Sequence, residues 1–297
     1  MNEQKNTDAW TSQERQERQE RQGMSAKWLC PLCRQPLQAA DGSSRCADGH
    51  CFDKAKEGYI NLLPVHRKRS REPGDNRDMI EARRRVHGAG LYQPLADKIS
   101  STLQDVLGEN ACMLDLGCGE GYYSQCLLAA MPGVLLHAVD IAKPAVRLAA
   151  KACKPAHFAV ASAFDVPLAK GSLDAVLGVF APASDAELAR LIKPGGWYLK
   201  VSPGEDHLWE LRQQLYDTPR PHLPAMPAIP GFAAPTTSRL RFLLDLQGGI
   251  LRDVLAMTPY AYGGLREHKE RLSGSSSLQT RADFLLTLYR REEDQPR

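Results

Sequence analysis

The stretch from Met113 to Tyr123 constrains this chain more than any other. An apolar run, Met113-Leu114-Asp115-Leu116, breaks into Gly117-Cys118-Gly119-Glu120-Gly121, and Tyr122 to Met131 then repeats apolar positions at helical spacing. Strand, glycine turn, helix is the order that brings backbone N–H groups and a helix N-terminus to a nucleotide-type ligand. A second apolar run, Val134 to Val139, closes on Asp140. An acid about twenty residues beyond such a turn is placed to accept hydrogen bonds from the two hydroxyls of a ribose. The dinucleotide pattern G-x-G-x-x-G is absent, because Tyr122 and Tyr123 follow Gly121 and set rings where a pyrophosphate needs close backbone approach. NAD is therefore disfavoured.

The wording Asp115-Leu116-Gly117-Cys118-Gly119-Glu120-Gly121 resembles the first motif of class I methyltransferases that use S-adenosylmethionine. That resemblance implies that the turn receives the methionine part, that Asp140 holds the ribose, and that Asp115 orients the turn and the aminoacyl group.

With 297 residues, 43% hydrophobic and 25% charged, the chain can bury one large α/β core with a small module beside it. Its formal charge is only +3, so any case for nucleic acid rests on where the basic residues cluster. No apolar run approaches the roughly 18 residues of a membrane helix, and the charged start is not a signal peptide. A bacterial-type cytoplasmic protein is expected. Of eight cysteines, Cys30, Cys33, Cys46 and Cys51 crowd the N-terminal region, whereas Cys112, Cys118, Cys126 and Cys153 are scattered through the expected core. In a reducing compartment the first group suggests metal and the second packing.

Residues 1 to 23 are polar and repeat Gln-Glu-Arg three times from Gln13, so residues 1–25 read as a disordered charged tail. Trp28-Leu29-Cys30-Pro31-Leu32-Cys33 is a C-x2-C knuckle, followed after a Gly-Ser turn by Cys46 and the pair His50-Cys51. Two such pairs suit tetrahedral zinc, and either His50 or Cys51 can serve as fourth ligand. This region is too small to fold on its own apolar content, so the metal is expected to make its fold. The basic run His66-Arg67-Lys68-Arg69-Ser70-Arg71 leads to a hinge at Pro73-Gly74-Asp75. A helix starting near Asp78 carries Arg83-Arg84-Arg85, and Tyr92-Gln93-Pro94 opens another through Leu107.

Taken together, Cys-Pro-Leu-Cys, Cys46 with His50, Ala55 to Pro64, Lys68 to Asp75, Tyr92-Gln93-Pro94-Leu95 and Asp115 to Tyr123 resemble the bacterial 23S ribosomal RNA guanine-N1 methyltransferases, over nearly all of residues 26 to 290. The resemblance implies an α/β fold of class I, Rossmann-like methyltransferase type with a mixed seven-stranded sheet. It divides the chain into the tail, a zinc-binding RNA-recognition module over 26–72 and an S-adenosylmethionine-dependent methyltransferase domain over 73–297. It implies zinc on Cys30, Cys33, Cys46 and His50, and cofactor contacts from Tyr92, Gly119, Glu120 and His207 beside Asp115, Gly117, Gly121 and Asp140, with adenine near Ala163. The reaction it implies is methyl transfer to N1 of a guanine in a 23S rRNA hairpin loop; a homodimer is compatible with this, a membrane partner is not.

The remaining segments fit that domain. Helix is expected over Val146–Ala152, strands over His157–Ser162 and Leu173–Phe180, a helix from Asp185 to a turn at Lys193-Pro194-Gly195-Gly196, and a strand over Trp197–Ser202. Asp185 and Glu187 read as capping acids of their helix, and no residue is assigned as general base. Thr218–Pro235 reads as a proline-rich loop over the substrate face, Leu240–Leu246 as a strand, and 281–290 as an antiparallel last strand. Tyr260 and Tyr262 are candidates to stack on a flipped base or to pack the core. Phe180-Ala181-Pro182-Ala183 lacks the Asn/Asp-Pro-Pro-aromatic motif of enzymes acting on exocyclic amines, which favours a ring nitrogen as acceptor. Two other readings compete: a small-molecule methyltransferase with a structural zinc cap, and a non-enzymatic zinc RNA-binding protein, against which the intact Asp115, glycine turn and Asp140 argue.

Overall fold

The computed structural model describes residues 27–65, 73–223, 227–261, 263 and 265–293; the expected tail and the basic run from His66 to Arg71 lie outside these residues, as does Tyr262. Near the N-terminus, β1 (Gln38–Ala40), β2 (Ser43–Arg45) and β3 (Cys51–Asp53) pair as an antiparallel three-stranded sheet. None of these nine positions is buried, so the little sheet has no apolar core of its own and must be held from outside. The two-residue β4 (Ile60–Asn61) keeps one bridge, from Ile60 back to Lys54, and joins the large sheet.

The larger unit begins with α1 (Arg77–Gly88), capped by Asn76, whose Oδ1 accepts from the Met79 N–H at 2.9 Å. The helix α2 (Gln93–Gln104) carries Pro94 in its first turn, where a missing N–H costs nothing, and ends one turn before Leu107. Then follow β5 (Cys112–Leu116), α3 (Tyr122–Ala130), β6 (Leu135–Asp140), α4 (Lys143–Ala152), β7 (His157–Val160), β8 (Leu173–Val179), α5 (Asp185–Leu191) and β9 (Ile192–Pro203). The last third holds α6 (Trp209–Leu215), β10 (Thr236–Gln247), α7 (Gly249–Ala256), α8 (Arg266–Ser273) and β11 (Ser277–Arg290).

These strands form one mixed sheet in the order β10-β11-β9-β8-β5-β6-β7-β4. It has eight strands where seven are expected. The extra one is β4, lying parallel to β7 with Ile60 opposite Ala159 and Asn61 opposite Val160, and continued by the Leu62 N–H donating to the Val160 carbonyl at 2.9 Å. An open β7 edge would leave ladder groups unpaired, and the apolar run Tyr59–Leu63 covers it. The stretch expected to turn at Lys193–Gly196 is instead the start of β9, with a register irregularity opposite Leu173–Ala175. Gly196 allows this: a Cβ there would stand 2.8 Å from the Asp174 carbonyl oxygen.

Alternation along β5 decides what packs where. Met113 faces a core shared with α2, α3, α6 and α7, whereas Leu114 and Leu116 face a second core that includes α5 and the N-terminal module's Cys30, Leu37 and Cys46. The module thus uses the sheet's second core as its own. The Leu29 N–H donates to the Pro167 carbonyl at 2.7 Å, Trp28 meets the His137 ring edge-on at 4.9 Å, and Arg34 pairs with Asp165. Among the described residues no helix is long and apolar enough to cross a membrane.

Candidate cofactor crevice and metal cluster

The chain runs β5, β6, β7 outward in one direction and then returns to β8 on the other side of β5. A sheet wound this way opens a crevice beyond the carboxyl ends of β5 and β8, where ligands of such folds bind. The glycine turn fills one wall of it. Gly117, Gly119 and Gly121 all take positive φ (77°, 55° and 85°). At two of them space forbids a side chain as well: a Cβ on Gly117 would stand 2.6 Å from the Ala181 Cβ, and one on Gly121 would stand 2.8 Å from the Ala149 Cβ.

Asp140 braces this turn from β6. One carboxylate oxygen accepts from the Gly119 N–H at 2.9 Å and the other from the Ala142 N–H at 2.8 Å. Burial pushes its carboxyl up, and the two N–H donors pull it back without cancelling the rise. Each oxygen keeps a further lone pair, so the same group can still receive hydroxyls. Asp115 lies deeper, 2% exposed, accepting from the Ser124 hydroxyl at 2.5 Å and so tying the end of β5 to the first turn of α3.

The Glu120 side chain turns toward α1. Its Oε1 lies 2.5 Å from Nδ1 of His87, with both side chains buried. Burial pushes Glu120 up, but the His87 hydrogen bond and charge, aided by Arg83, carry it net below the usual carboxylate range. His87 also stacks on Tyr122 at 4.2 Å and meets Tyr92 edge-on at 5.5 Å. Arg83 reaches Asp75 at 2.6 Å, and its other terminal nitrogen lies 3.6 Å from where a Gly119 Cβ would stand. A positive group thus hangs over the turn, a placement that membership of a basic stripe does not reveal.

Beside Phe284, at a ring-centroid distance of 4.8 Å, His207 is 6% exposed and its Nδ1 accepts from the Asp283 N–H at 3.3 Å, which assigns the ring proton to Nε2. Burial, with His222 nearby, drives its pKa down to about 3, so the ring stays neutral at ordinary pH. Ala163 is half-buried on the β7 side, next to the exposed Phe164. Tyr260 packs against the core, its hydroxyl 2.9 Å from His222 Nε2, consistent with a packing role rather than a free ring. Asp185 and Glu187 stand in the first turn of α5 as expected, but no side chain caps the helix, and Glu187 instead accepts from the Val166 N–H at 2.6 Å. No sequence signal marks His87 or Asp283, since each takes its meaning from residues far away in the chain.

The metal cluster is formed by Cys30, Cys33, Cys46 and His50, whose ligand atoms lie within 4.8 Å of one another. His50 Nδ1 is 3.6 Å from Cys30 Sγ and 3.3 Å from Cys46 Sγ, and Cys33 and Cys46 sulfurs are 3.5 Å apart. A zinc tetrahedron with Zn–S about 2.3 Å and Zn–N about 2.0 Å has edges of roughly 3.5–3.8 Å, so this donor set fits that ion. Cys51, although adjacent to His50, is exposed on β3 and stands outside the group.

Comparison with known proteins agrees with both halves. A zinc-ribbon family described as RlmA, N-terminal matches residues 28–71, and a family described as methyltransferase domain matches residues 113–196. The 23S rRNA (guanine(748)-N(1))-methyltransferase of Streptomyces fradiae is 37% identical over 241 residues, covering 78% of this chain and 85% of its own. A Bacillus subtilis protein that carries the provisional name 23S rRNA (guanine-N(1)-)-methyltransferase YxjB is 33% identical over 267 residues, 86% of this chain and 93% of its own. A Micromonospora griseorubida protein with the same provisional name, apart from the symbol, is 35% identical over 205 residues, 63% of this chain and 68% of its own.

Proposed function

The chain belongs to the family of 23S rRNA guanine-N1 methyltransferases, and from that premise we infer that it transfers a methyl group from S-adenosylmethionine to N1 of a guanine in a hairpin loop of 23S rRNA. The observation that carries this reading is the join between its two halves. Arg34, next to the cluster residue Cys33, pairs with Asp165, two residues from Ala163 at the crevice, so one substrate can touch the metal module and the cofactor site together. A small acceptor would need only the second.

Zinc would be held by Cys30, Cys33, Cys46 and His50, keeping the module folded against the sheet. Asp140 would take the ribose, the glycine turn with Asp115, Tyr92 and Glu120 the aminoacyl end, Ala163 the adenine side, with His207 beside Phe284. When bound, S-adenosylmethionine supplies an electrophilic methyl carbon. The chain then has to align an acceptor nitrogen with it and exclude water, and no covalent cysteine is required. Guanine N1 must lose a proton during transfer. His207 is a donor at Nε2 and is neutral, so it can hold a carbonyl or carboxylate oxygen but is not the base. We place the enzyme in the cytoplasm with ribosomal RNA as partner and hold the homodimer as an expectation of the same reading.

Tritiated methyl transfer onto unmodified 23S rRNA, followed by nucleoside mapping, tests the proposal. Label in 1-methylguanosine of a single hairpin is expected. Label on a small molecule, or on no RNA nucleoside, would contradict it.

A further inference from the structure

Most apolar side chains at the crevice are buried, but Phe180 is not. It follows the last residue of β8 and stands 48% exposed, although its backbone is held: its N–H donates to the Val201 carbonyl at 3.0 Å, carrying the β8–β9 ladder one residue further. Its φ is +54°, in the left-handed region that a bulky side chain rarely adopts. Such a conformation persists where surrounding structure imposes it, and it gathers at ligand-binding sites. Phe180 lies at the end of β8 beside the glycine turn, since the next residue, Ala181, is the one whose Cβ closes on Gly117. The ring rests on two buried aromatics, with centroids 5.9 Å from His207 and 6.0 Å from Phe284. Both contacts are tilted, and about half of the residue stays exposed.

An exposed aromatic backed by a rigid shelf at the mouth of a methyl-transfer site suits a flat, unstacked ring. We propose that Phe180 is the platform on which the acceptor purine stacks once it is turned out of its hairpin, holding it level with the methyl donor. This rests on the reading of the chain as a guanine-N1 methyltransferase. Bases unstacked from RNA are commonly received on aromatic faces, because the π-surface replaces the neighbour the base has given up. Phe164, also exposed, has ordinary φ and lies past β7, while the partly buried Tyr260 packs on the core and is tied to His222.

The full zinc-loaded chain and its Phe180→Leu and Phe180→Tyr variants are compared in single-turnover methylation of unmodified 23S rRNA and in calorimetric titration with S-adenosylmethionine. Phe180→Leu is expected to slow methylation by roughly ten- to a hundredfold, the scale of one base–aromatic stack, and Phe180→Tyr to keep the rate within about threefold. Cofactor affinity should stay at the parent value in both, which also certifies folding. A 2-aminopurine at the acceptor position should be quenched when bound by the parent and brighter when bound by Phe180→Leu. Parent-rate methylation by Phe180→Leu, or a loss of cofactor affinity in step with the rate, overturns the platform. A parent chain that forms no 1-methylguanosine overturns the functional reading and the platform with it.

Discussion

The Asp115 carboxyl is solvated by little besides the Ser124 hydroxyl, and burial pushes its pKa up to about 7, Ser124 opposing and the charges of Asp140 and Glu120 adding to the rise. In the unfolded chain an aspartate titrates near 3.9. Below about pH 4 both states hold the proton and nothing is gained or lost. Between about 4 and 7 the folded state binds a proton that the unfolded state has released, so Asp115 makes stability fall as pH rises, by up to about 1.4 kcal/mol per unit, with the full penalty above 7. Asp115→Asn has no proton to lose, so its stability relative to the parent should improve as pH rises from 5.5 to 7.5; urea unfolding at four pH values checks this, and a constant difference would refute it. A second residue-level prediction separates neighbours: His50→Ala should lose zinc by elemental analysis while Cys51→Ala keeps it, because only His50 turns into the cluster. The reverse pattern would make Cys51 the ligand. Residue types announce both sites, since spaced glycines and paired cysteines have few other uses. They cannot announce that Glu120 is taken by His87, 33 positions earlier, or that Phe180 sits at positive φ, because neither partner nor backbone sign is written in a residue's identity.

Elements are legible where their period is long enough to show. The apolar runs of β5, β6 and β8 and the turn after β5 are where the sequence places them, because strands buried on both faces leave uninterrupted apolar stretches. The two-residue β4 carries no period at all, and α6 and α8 are too short and polar to stand out. Yet β4 changes where the zinc module ends as a physical unit. Ile60 still bridges to Lys54 and shares a core with Cys30 and Cys46, but its ladder partner is β7, and the flanking Tyr59 and Leu63 pack beside Val146 and Phe158, so the metal is not its only hold. The three-stranded ribbon before it depends on the cluster. Stripping zinc with a chelator should therefore expose amides between Leu29 and Lys54 to hydrogen exchange and leave the Leu62 amide, bonded to Val160, protected. If Leu62 lost protection together with Cys46 and Lys54, the boundary would belong near residue 72, where composition alone puts it.

For the whole molecule, a net charge of only +3 gives no general pull toward RNA, so the attraction has to be local. The described residues on either side of the basic run show where it starts and ends, although Arg67, Lys68, Arg69 and Arg71 themselves lie outside them. Before the run, Leu62 is bonded to Val160 at the carboxyl end of β7. After it, Gly74 lies against Ala142, where a Cβ would come within 3.0 Å, and Asp75 pairs with Arg83 over the glycine turn. Both ends are anchored at the rim of the cofactor crevice. The basic run joins these two ends, and contact between its four cations and RNA backbone is the expectation to be tested. Replacing all four by alanine should weaken RNA binding and flatten its dependence on salt, by about 0.7 to 0.9 in log–log slope for each phosphate no longer neutralised. Affinity for S-adenosylmethionine should hold, because Asp140 and the glycine turn are braced by backbone N–H groups and not by these residues. Filter binding at several salt concentrations together with cofactor calorimetry on the same variant reads both quantities. A slope equal to the parent's would remove the segment from the RNA-binding surface, and a fall in cofactor affinity would mean that the anchors at Leu62 and Asp75 had moved.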